Sequence, residues 1–471
     1  MAAVPAEQDF PPEEDEEAPL PAQFSEDNLA RHWVLQNGAN WRYVTQWAQW
    51  YKWHLDRWIP ERTAECFELA RNITRQALWW DGITDPQRLK VNSAKTAAAL
   101  LQFVKSDRKI AATSDQWDTH TELLGIPGGV VDLNICKAIP AVREQFITKQ
   151  TAVAPTKGDP VRWLQFLERA TDGNKDIQAY LKRFAGYCLT GETSEHALAF
   201  LYGTGANGKT TFVQTLLGVL GDYAITTPIE TFSETRTERH PTELARLRGA
   251  RLVVTEETST GGRWNESRIK QLTGGNRIAA RYMRCDDFEY QPEFKLLIAG
   301  NHKPQMRSVD EAMKRRMHIV PFTVTIPEEE RDQKLLKTLE VEWPQILNWM
   351  IEGCYEWRTA RLAPPEEVRD ATDLYLQSED VLAEWIEECC ERDGNSPDSK
   401  PLYECFKRWM ETNSDTPWKK KTWTSAMIDK GFKPTRTSRS RGLLGISLKN
   451  DVSFGAQQHH NKSMPYADDD R

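Results

Sequence analysis

Residues 197–220 read ALAFLYGTGANGKTTFVQTLLGVL. An apolar run bounded by glycine suits a buried strand. The glycine-rich segment suits a tight loop, and the stretch after it suits a helix. The loop satisfies G-x-x-x-x-G-K-T, framed by Gly203, Gly205 and Gly208 and closed by Lys209 and Thr210. The glycines let successive backbone N–H groups curl around a phosphate. Lys209 brings a point charge to the terminal phosphate oxygens, and Thr210 offers a hydroxyl to Mg²⁺. Asn207 and Thr211 complete the residues expected to surround the bound nucleotide. The helix after the loop adds the positive end of its dipole.

Such a loop needs an acidic partner on a neighbouring strand. RLVVT (251–255) leads into Glu256 and Glu257. Glu256 is the candidate for the Mg²⁺ hydration shell and Glu257 for polarising an attacking water. A third apolar run, FKLLIAG (294–300), leads into Asn301, whose amide can orient that water beside the terminal phosphate. A fourth, MHIVPF (317–322), follows Arg315 and Arg316, either of which can stabilise charge spreading over a phosphoryl group. Strand candidates alternating with helical stretches imply an α/β core with a mostly parallel sheet.

The chain has 471 residues and a net charge of −8. The charge is segregated. Residues 1–30 carry nine acids and no Lys or Arg, which leaves the remaining 441 at +1, and residues 401–449 carry a local +7. No apolar run is long enough for a membrane helix, and the N-terminus has no secretory pattern. The eight cysteines form no CxxC pair and no zinc-spaced cluster, which favours a reducing compartment.

Residues 1–24, with Pro and an EEDEE run, are expected to be a disordered acidic leader. Residues 25–150 are expected to form an α-rich N-terminal domain with a dense aromatic block: Trp33, Trp41, Tyr43, Trp47, Trp50, Tyr51, Trp53 and Trp58. Trp47, Trp50, Tyr51 and Trp58 fall partly at helical spacing. Interleaved with Arg31, Arg42, Lys52 and Arg57, the block has two readings, a stacking platform for a single strand or the core of a small domain. Core is the plainer one. Helices are expected over 61–80 and 92–106, and a turn followed by a short buried strand over 125–136.

A helical collar is expected over 151–190, the nucleotide-binding domain over 191–345 and a helical connector over 346–378. Residues 379–449 read as helices 381–392, 402–411 and 422–430 followed by a basic hairpin, a winged-helix-like pattern. Lys419, Lys420, Lys421, Arg436, Arg439 and Arg441 are its candidate DNA contacts. Residues 450–471 are expected to be a disordered tail.

In order and spacing, FLYGTGANGKTTF, RLVVTEET, RIKQLTGGNRIAARYM, LLIAGNHKP and RRMHIVPF resemble the Walker A, Walker B, B′, C and arginine-finger motifs of superfamily 3 helicases of the AAA+ type. The likeness is to the phage/plasmid primase–helicase family, which includes poxvirus NTPase/helicase relatives. It extends from about Ser25 to Leu448, through SEDNLAR, WRYV and WDTHTELLGIPGGVVDL before the P-loop and LYECFKRW and RGLLGISL after it. Asn276 departs from the family's usual Asp.

The resemblance implies a hexameric ring with ATP and Mg²⁺ between subunits, Arg315 or Arg316 coming from the neighbour. It implies a hairpin over 277–290 pointing into the ring, with Arg281 and Arg284 as DNA contacts and Lys270 as a weaker candidate. Residues 25–190 contain no Asp-x-Asp pair and no Cys cluster, so no priming activity is expected. That leaves room for a separate primase or polymerase as partner. The expected function is an ATP-dependent replicative DNA helicase of a phage, prophage or plasmid, in the cytoplasm of a bacterial host. The alternatives are an origin-binding initiator whose ATPase switches assembly, and a small-molecule P-loop kinase. The kinase leaves the basic module unexplained.

Overall fold

The computed structural model describes residues 21–203, 205–233, 242–256, 263–282, 287–301, 306, 310–378, 381–396, 398–413, 417–436 and 441–449. Most of the acidic leader, the tail, Glu257, Arg284 and Arg439 lie outside these residues.

The N-terminal region begins with α1 (Glu26–Asn37), capped by the Ser25 side chain accepting from Asn28 N. Three antiparallel strands follow: β1 (Trp41–Val44), β2 (Gln49–His54) and β3 (Arg57–Pro60). This corrects the helical spacing read into the tryptophan block. Successive residues of a strand point to opposite faces. Trp50 therefore joins Trp33 and Trp41 on one face, and Tyr51 and Trp53 join Trp58 and Trp117 on the other. Trp33, Trp41, Trp50 and Trp58 are core, Tyr43, Tyr51 and Trp53 are partly buried, and Trp47 is exposed. The first face is covered by α2 (Glu65–Ala77), α3 (Asp85–Val91) and α4 (Ala94–Ser106). A short β4 (Ala111–Ala112) pairs parallel to β1. Phe24, placed in the leader by sequence, packs against Trp80.

Next come β5 (Leu123–Ile126), β6 (Gly129–Asp132) and β7 (Lys137–Ile139), an antiparallel meander in place of the expected single strand after a turn. The N-terminal part is thus mixed helix and sheet, which corrects the expectation of an α-rich domain: the aromatic block and the segment after it form strands. The collar is the helix pair α5 (Val161–Ala170) and α6 (Lys175–Tyr187), within the expected span.

The central domain runs β8 (Leu198–Tyr202), α7 (Lys209–Leu220), β9 (Ala224–Thr226), α8 (Thr242–Ala245), β10 (Leu252–Glu256), α9 (Glu266–Thr273), β11 (Ile278–Arg281), β12 (Asp287–Tyr290), β13 (Lys295–Gly300), α10 (Glu311–Lys314) and β14 (Met317–Pro321). Five strands form a wholly parallel sheet in the order β14-β8-β13-β10-β9. Both of its faces are covered, which is why its strands read as unbroken apolar runs. Between α9 and β13, β11 and β12 pair as the expected hairpin.

Two buried cations anchor the N-terminal ends of the central strands. Arg251, just before β10, donates from Nη1 to Leu189 O (2.5 Å) and from Nη2 to Leu123 O (2.6 Å). Lys295, at the start of β13, donates to the carbonyls of Thr190, Glu192 and Glu293. Arg251 thereby ties the meander and the collar to the sheet; Lys295 ties the segment after the collar to it.

A long α11 (Leu335–Ala360) packs against α6 and α7, so the domain boundary expected at 345/346 falls inside a helix. After α12 (Glu366–Ser378) comes a C-terminal module of α13 (Val381–Cys389), β15 (Cys390–Ser396), α14 (Ser399–Thr412), α15 (Lys420–Asp429), β16 (Lys433–Arg436) and β17 (Arg441–Leu448). Its three helices match expectation in number. Residues 390–396, assigned in part to the first helix by sequence, instead form the strand β15, and the sheet order is β15-β17-β16. Trp385, Phe406 and Trp423 form the module's own core.

Candidate functional site

The P-loop lies between β8 and α7, at the C-terminal edge of the parallel sheet, where open α/β sheets gather their ligands. A Cβ at Gly203 would collide with the Phe322 carbonyl and the Asn207 side chain. Gly208 has φ +90°, and a Cβ there would stand 2.7 Å from the Phe166 ring. Asn207 is buried and donates from Nδ2 to Phe322 O (2.9 Å), tying the loop to the end of β14.

Lys209 is 6% exposed, and its Nζ donates to Gly203 O (2.8 Å), Asn207 Oδ1 (3.0 Å) and Asn301 Oδ1 (3.0 Å). The P-loop lysine and the residue after β13, separated by 92 positions, therefore meet at one point. Burial pushes the Lys209 ammonium down to about 8. Thr210 and Thr211 lie on the same cavity wall. Glu256 ends β10 beside Ala299, on the same sheet edge as the P-loop.

The cavity encloses about 530 Å³. Sequence reading missed half of its wall: Arg162, Gln165, Phe166 and Arg169 on α5, with Ile326 and Leu335 opposite. The segment before α11 crosses the P-loop, Ile326 N donating to Ala206 O (2.8 Å). Arg162 pairs with Asp332 (3.0 Å) and Arg169 with Glu330 (2.9 Å), fixing that segment to α5. The signal for this wall is the spacing of Arg162, Gln165, Phe166 and Arg169, which places all four on one helical stripe.

The two arginines before β14 differ. Arg315 is exposed, and its Nε donates to Glu311 O (3.3 Å), within its own helix. Arg316 is partly buried and donates to Thr273 Oγ1 (3.1 Å) and Ala312 O (2.8 Å). Burial, then the neighbouring Arg315 charge, lowers its pKa. Both precede β14, whose other end lies beside Tyr202 and the P-loop. The strand is five residues long, so about 17 Å separates them from their own phosphate site.

Among the nucleic-acid candidates, Lys270, the weaker one, is ion-paired with Asp310. Arg281 is exposed on the hairpin and faces Asp287 across it, Nε to Oδ1 3.6 Å. Lys419 precedes α15, and Lys420 and Lys421 begin it, all three exposed. Cations at a helix N-terminus oppose its dipole. Arg436 stands opposite Arg441 across the C-terminal hairpin. Among the described residues no group of His, Cys, Asp or Glu makes a metal cluster, and no helix is long and apolar enough to cross a membrane.

Residues 28–172 match the family described as "D5 N terminal like". Residues 201–316, which hold the P-loop, Asn301 and both arginines, match a "Family of unknown function (DUF5906)". The chain is 27% identical over 272 residues to "Putative helicase 022R" of Frog virus 3, covering 51% of this chain and 27% of that one. It is 25% identical over 262 residues to "Putative helicase L207/L206" of Acanthamoeba polyphaga mimivirus, with 51% and 27% covered. It is 24% identical over 209 residues to "Putative primase C962R" of African swine fever virus, with 42% and 22% covered. Together these matches support a D5-like primase–helicase family, superfamily 3 helicase-like, as the motif order implied. The matched part spans about a quarter of the length of these viral relatives. A solved structure described as the "A form apo structure of NrS-1 C terminal region-CTR(305-718)" aligns over 90% of this chain and 100% of its own, at TM-score 0.49 and 9% identity.

Proposed function

We propose that the protein is an ATP-driven DNA helicase acting in replication of a phage, prophage, plasmid or related viral element. The observation that carries this reading is the meeting of Lys209, Asn207 and Asn301 at the mouth of one cavity. The cavity suits a nucleoside triphosphate: glycine-lined backbone and Lys209 for the phosphates, and Phe166, Ile326 and Leu335 as an apolar wall for the base. Thr210 and Glu256 are hard oxygen donors suited to Mg²⁺, which when bound would neutralise charge on the phosphates. Asn301 would orient the attacking water, and Glu257 would accept its proton.

Arg315 is the finger in this reading. It is exposed and bound to no carboxylate among the described residues, whereas Arg316 is held by its own protomer. A strand's length separates Arg315 from its own P-loop, so it serves the site of the next copy in a ring, a hexamer by family likeness. The hairpin would engage one strand in the ring through Arg281 and Arg284. The C-terminal module would hold duplex through Lys419, Lys420, Lys421, Arg436, Arg439 and Arg441, in the manner of a winged helix. No priming is expected of this chain.

The test is strand displacement on a forked substrate, with ATP hydrolysis measured with and without single-stranded DNA. Helicase activity requires both displacement and stimulation, and Lys209→Ala should abolish both, at some cost in melting temperature because three hydrogen bonds of a buried side chain are lost. Hydrolysis without displacement would favour an origin-binding initiator. Hydrolysis by purified Lys209→Ala would refute the site.

A further inference from the structure

The tryptophan-rich sheet and the central hairpin share a second cavity, of about 480 Å³, remote from the P-loop. On the N-terminal side Trp47, Tyr51 and Trp117 form a chain of rings, with centroids 5.9 Å apart for Trp47–Tyr51 and 4.4 Å for Tyr51–Trp117. On the hairpin side Tyr282 stacks on Phe288 at 5.3 Å and 22°. The Arg248 guanidinium bridges the two groups, 5.7 Å from the Trp47 ring and 5.4 Å from the Phe288 ring, and donates to Ser114 O (3.3 Å). Trp33 and Trp58 are fully buried, yet Trp47 is 36% and Tyr282 41% exposed. These two rings are left at the solvent edge of the row, on opposite sides of one cavity.

We propose that this cavity takes an unpaired nucleobase of the single strand engaged by the hairpin, stacked on Trp47 and Tyr282. The inference rests on the DNA-translocation reading above. Base–aromatic stacking suits any nucleobase, and the volume lies within the common range for small-ligand sites, about 300–1,000 Å³. Asp115, Asp118, Glu289 and Glu293 line the cavity against two cations, Lys149, which donates to Asp222 O, and Arg248, already held between rings. That net negative lining disfavours a phosphate and accepts N–H donors. Glu293 has no side-chain hydrogen bond among the described residues, and burial holds its carboxyl above the ordinary range. Adenine, cytosine and guanine present exocyclic amines to such acceptors; thymine has none. Tyr282 directly follows Arg281, so a phosphate at Arg281 would leave the adjoining base at the cavity mouth.

The experiment uses the whole chain with a non-hydrolysable ATP analogue and labelled oligo-dC, oligo-dA and oligo-dT, with affinity read by anisotropy. Trp47→Ala should weaken oligo-dC binding about ten-fold. Trp47→Phe should restore it, and oligo-dC and oligo-dA should bind ahead of oligo-dT. Photo-cross-linking of halogenated oligo-dC to the wild-type protein needs no variant and should map to Trp47, Tyr51 or Tyr282. Wild-type affinity in Trp47→Ala, or cross-links only elsewhere, overturns the base site while leaving the helicase reading intact. Failure of the wild type to bind any oligonucleotide removes that reading, and the base site with it. Quenching of Trp47 by an oligo-arginine peptide without any DNA cross-link would give the cavity to a basic protein segment and overturn the proposal.

Discussion

Nζ of Lys209 lies 3.0 Å from Oδ1 of Asn301, so the start of α7 and the end of β13 are joined through the point where a terminal phosphate would sit. A phosphate arriving there competes with the amide for the ammonium, and its arrival frees Asn301 to face the phosphate. Asn301→Ala should therefore leave nucleotide affinity unchanged or raised, while hydrolysis falls by about 10²-fold, the usual effect of losing one transition-state donor. Single-turnover hydrolysis beside a binding titration separates the two. A large loss of affinity would place Asn301 in ground-state binding instead.

The same ammonium gives a pH dependence. Burial lowers Lys209 to about 8, and a bound phosphate would raise it again. Binding above pH 8 then takes up a proton, so affinity is fully present below about 8 and declines as pH rises through that value. Calorimetry at about pH 8.5 in buffers of different ionisation enthalpy measures the uptake directly. Identical binding heats in all buffers would mean that Lys209 stays charged in the free protein.

Arg315→Ala and Arg316→Ala should fail differently. Loss of Arg315 should reduce hydrolysis by about 10³-fold or more with the melting temperature unchanged. Loss of Arg316 removes its hydrogen bonds to Thr273 and Ala312, at a cost of about 1–3 kcal/mol, so lower stability should precede any kinetic effect. Mixed with wild type, Arg315→Ala should depress turnover more than simple dilution does. Proportional loss in that titration would contradict a shared site.

Arg436 ends β16 on the C-terminal hairpin and is exposed. Arg436→Ala should weaken duplex binding, with the log–log salt slope falling by about 0.9 for each phosphate no longer neutralised. Salt-dependent binding isotherms check this. An unchanged slope would remove Arg436 from the DNA surface.

The parts legible in the sequence are those fixed by local rules. Strands of a parallel sheet buried on both faces read as apolar runs, so β8, β10, β13 and β14 fall where expected within one or two residues. The P-loop is dictated by its own glycines and lysine. The tryptophan block misleads because 47, 50 and 51 sit at helical spacing, whereas Trp47 precedes β2 and the strand turns Trp50 and Tyr51 to opposite faces. The polar CERDGNS of β15 has no strand signature; pairing with β17 makes it one. Spacing groups Arg162, Gln165, Phe166 and Arg169 on one stripe of α5, but the meeting of that stripe with the P-loop, like the contrast between Arg315 and Arg316, depends on distant segments coming together.

Arg315 stands at one end of β14 and the P-loop beyond the other; if it serves a neighbouring copy as proposed, turnover would be a matter of stoichiometry. A solitary copy would hold ATP and return it uncleaved, however well folded. Assembly itself would then be the on-switch, and dilution below the point where copies meet would silence the protein without altering one of its internal bonds.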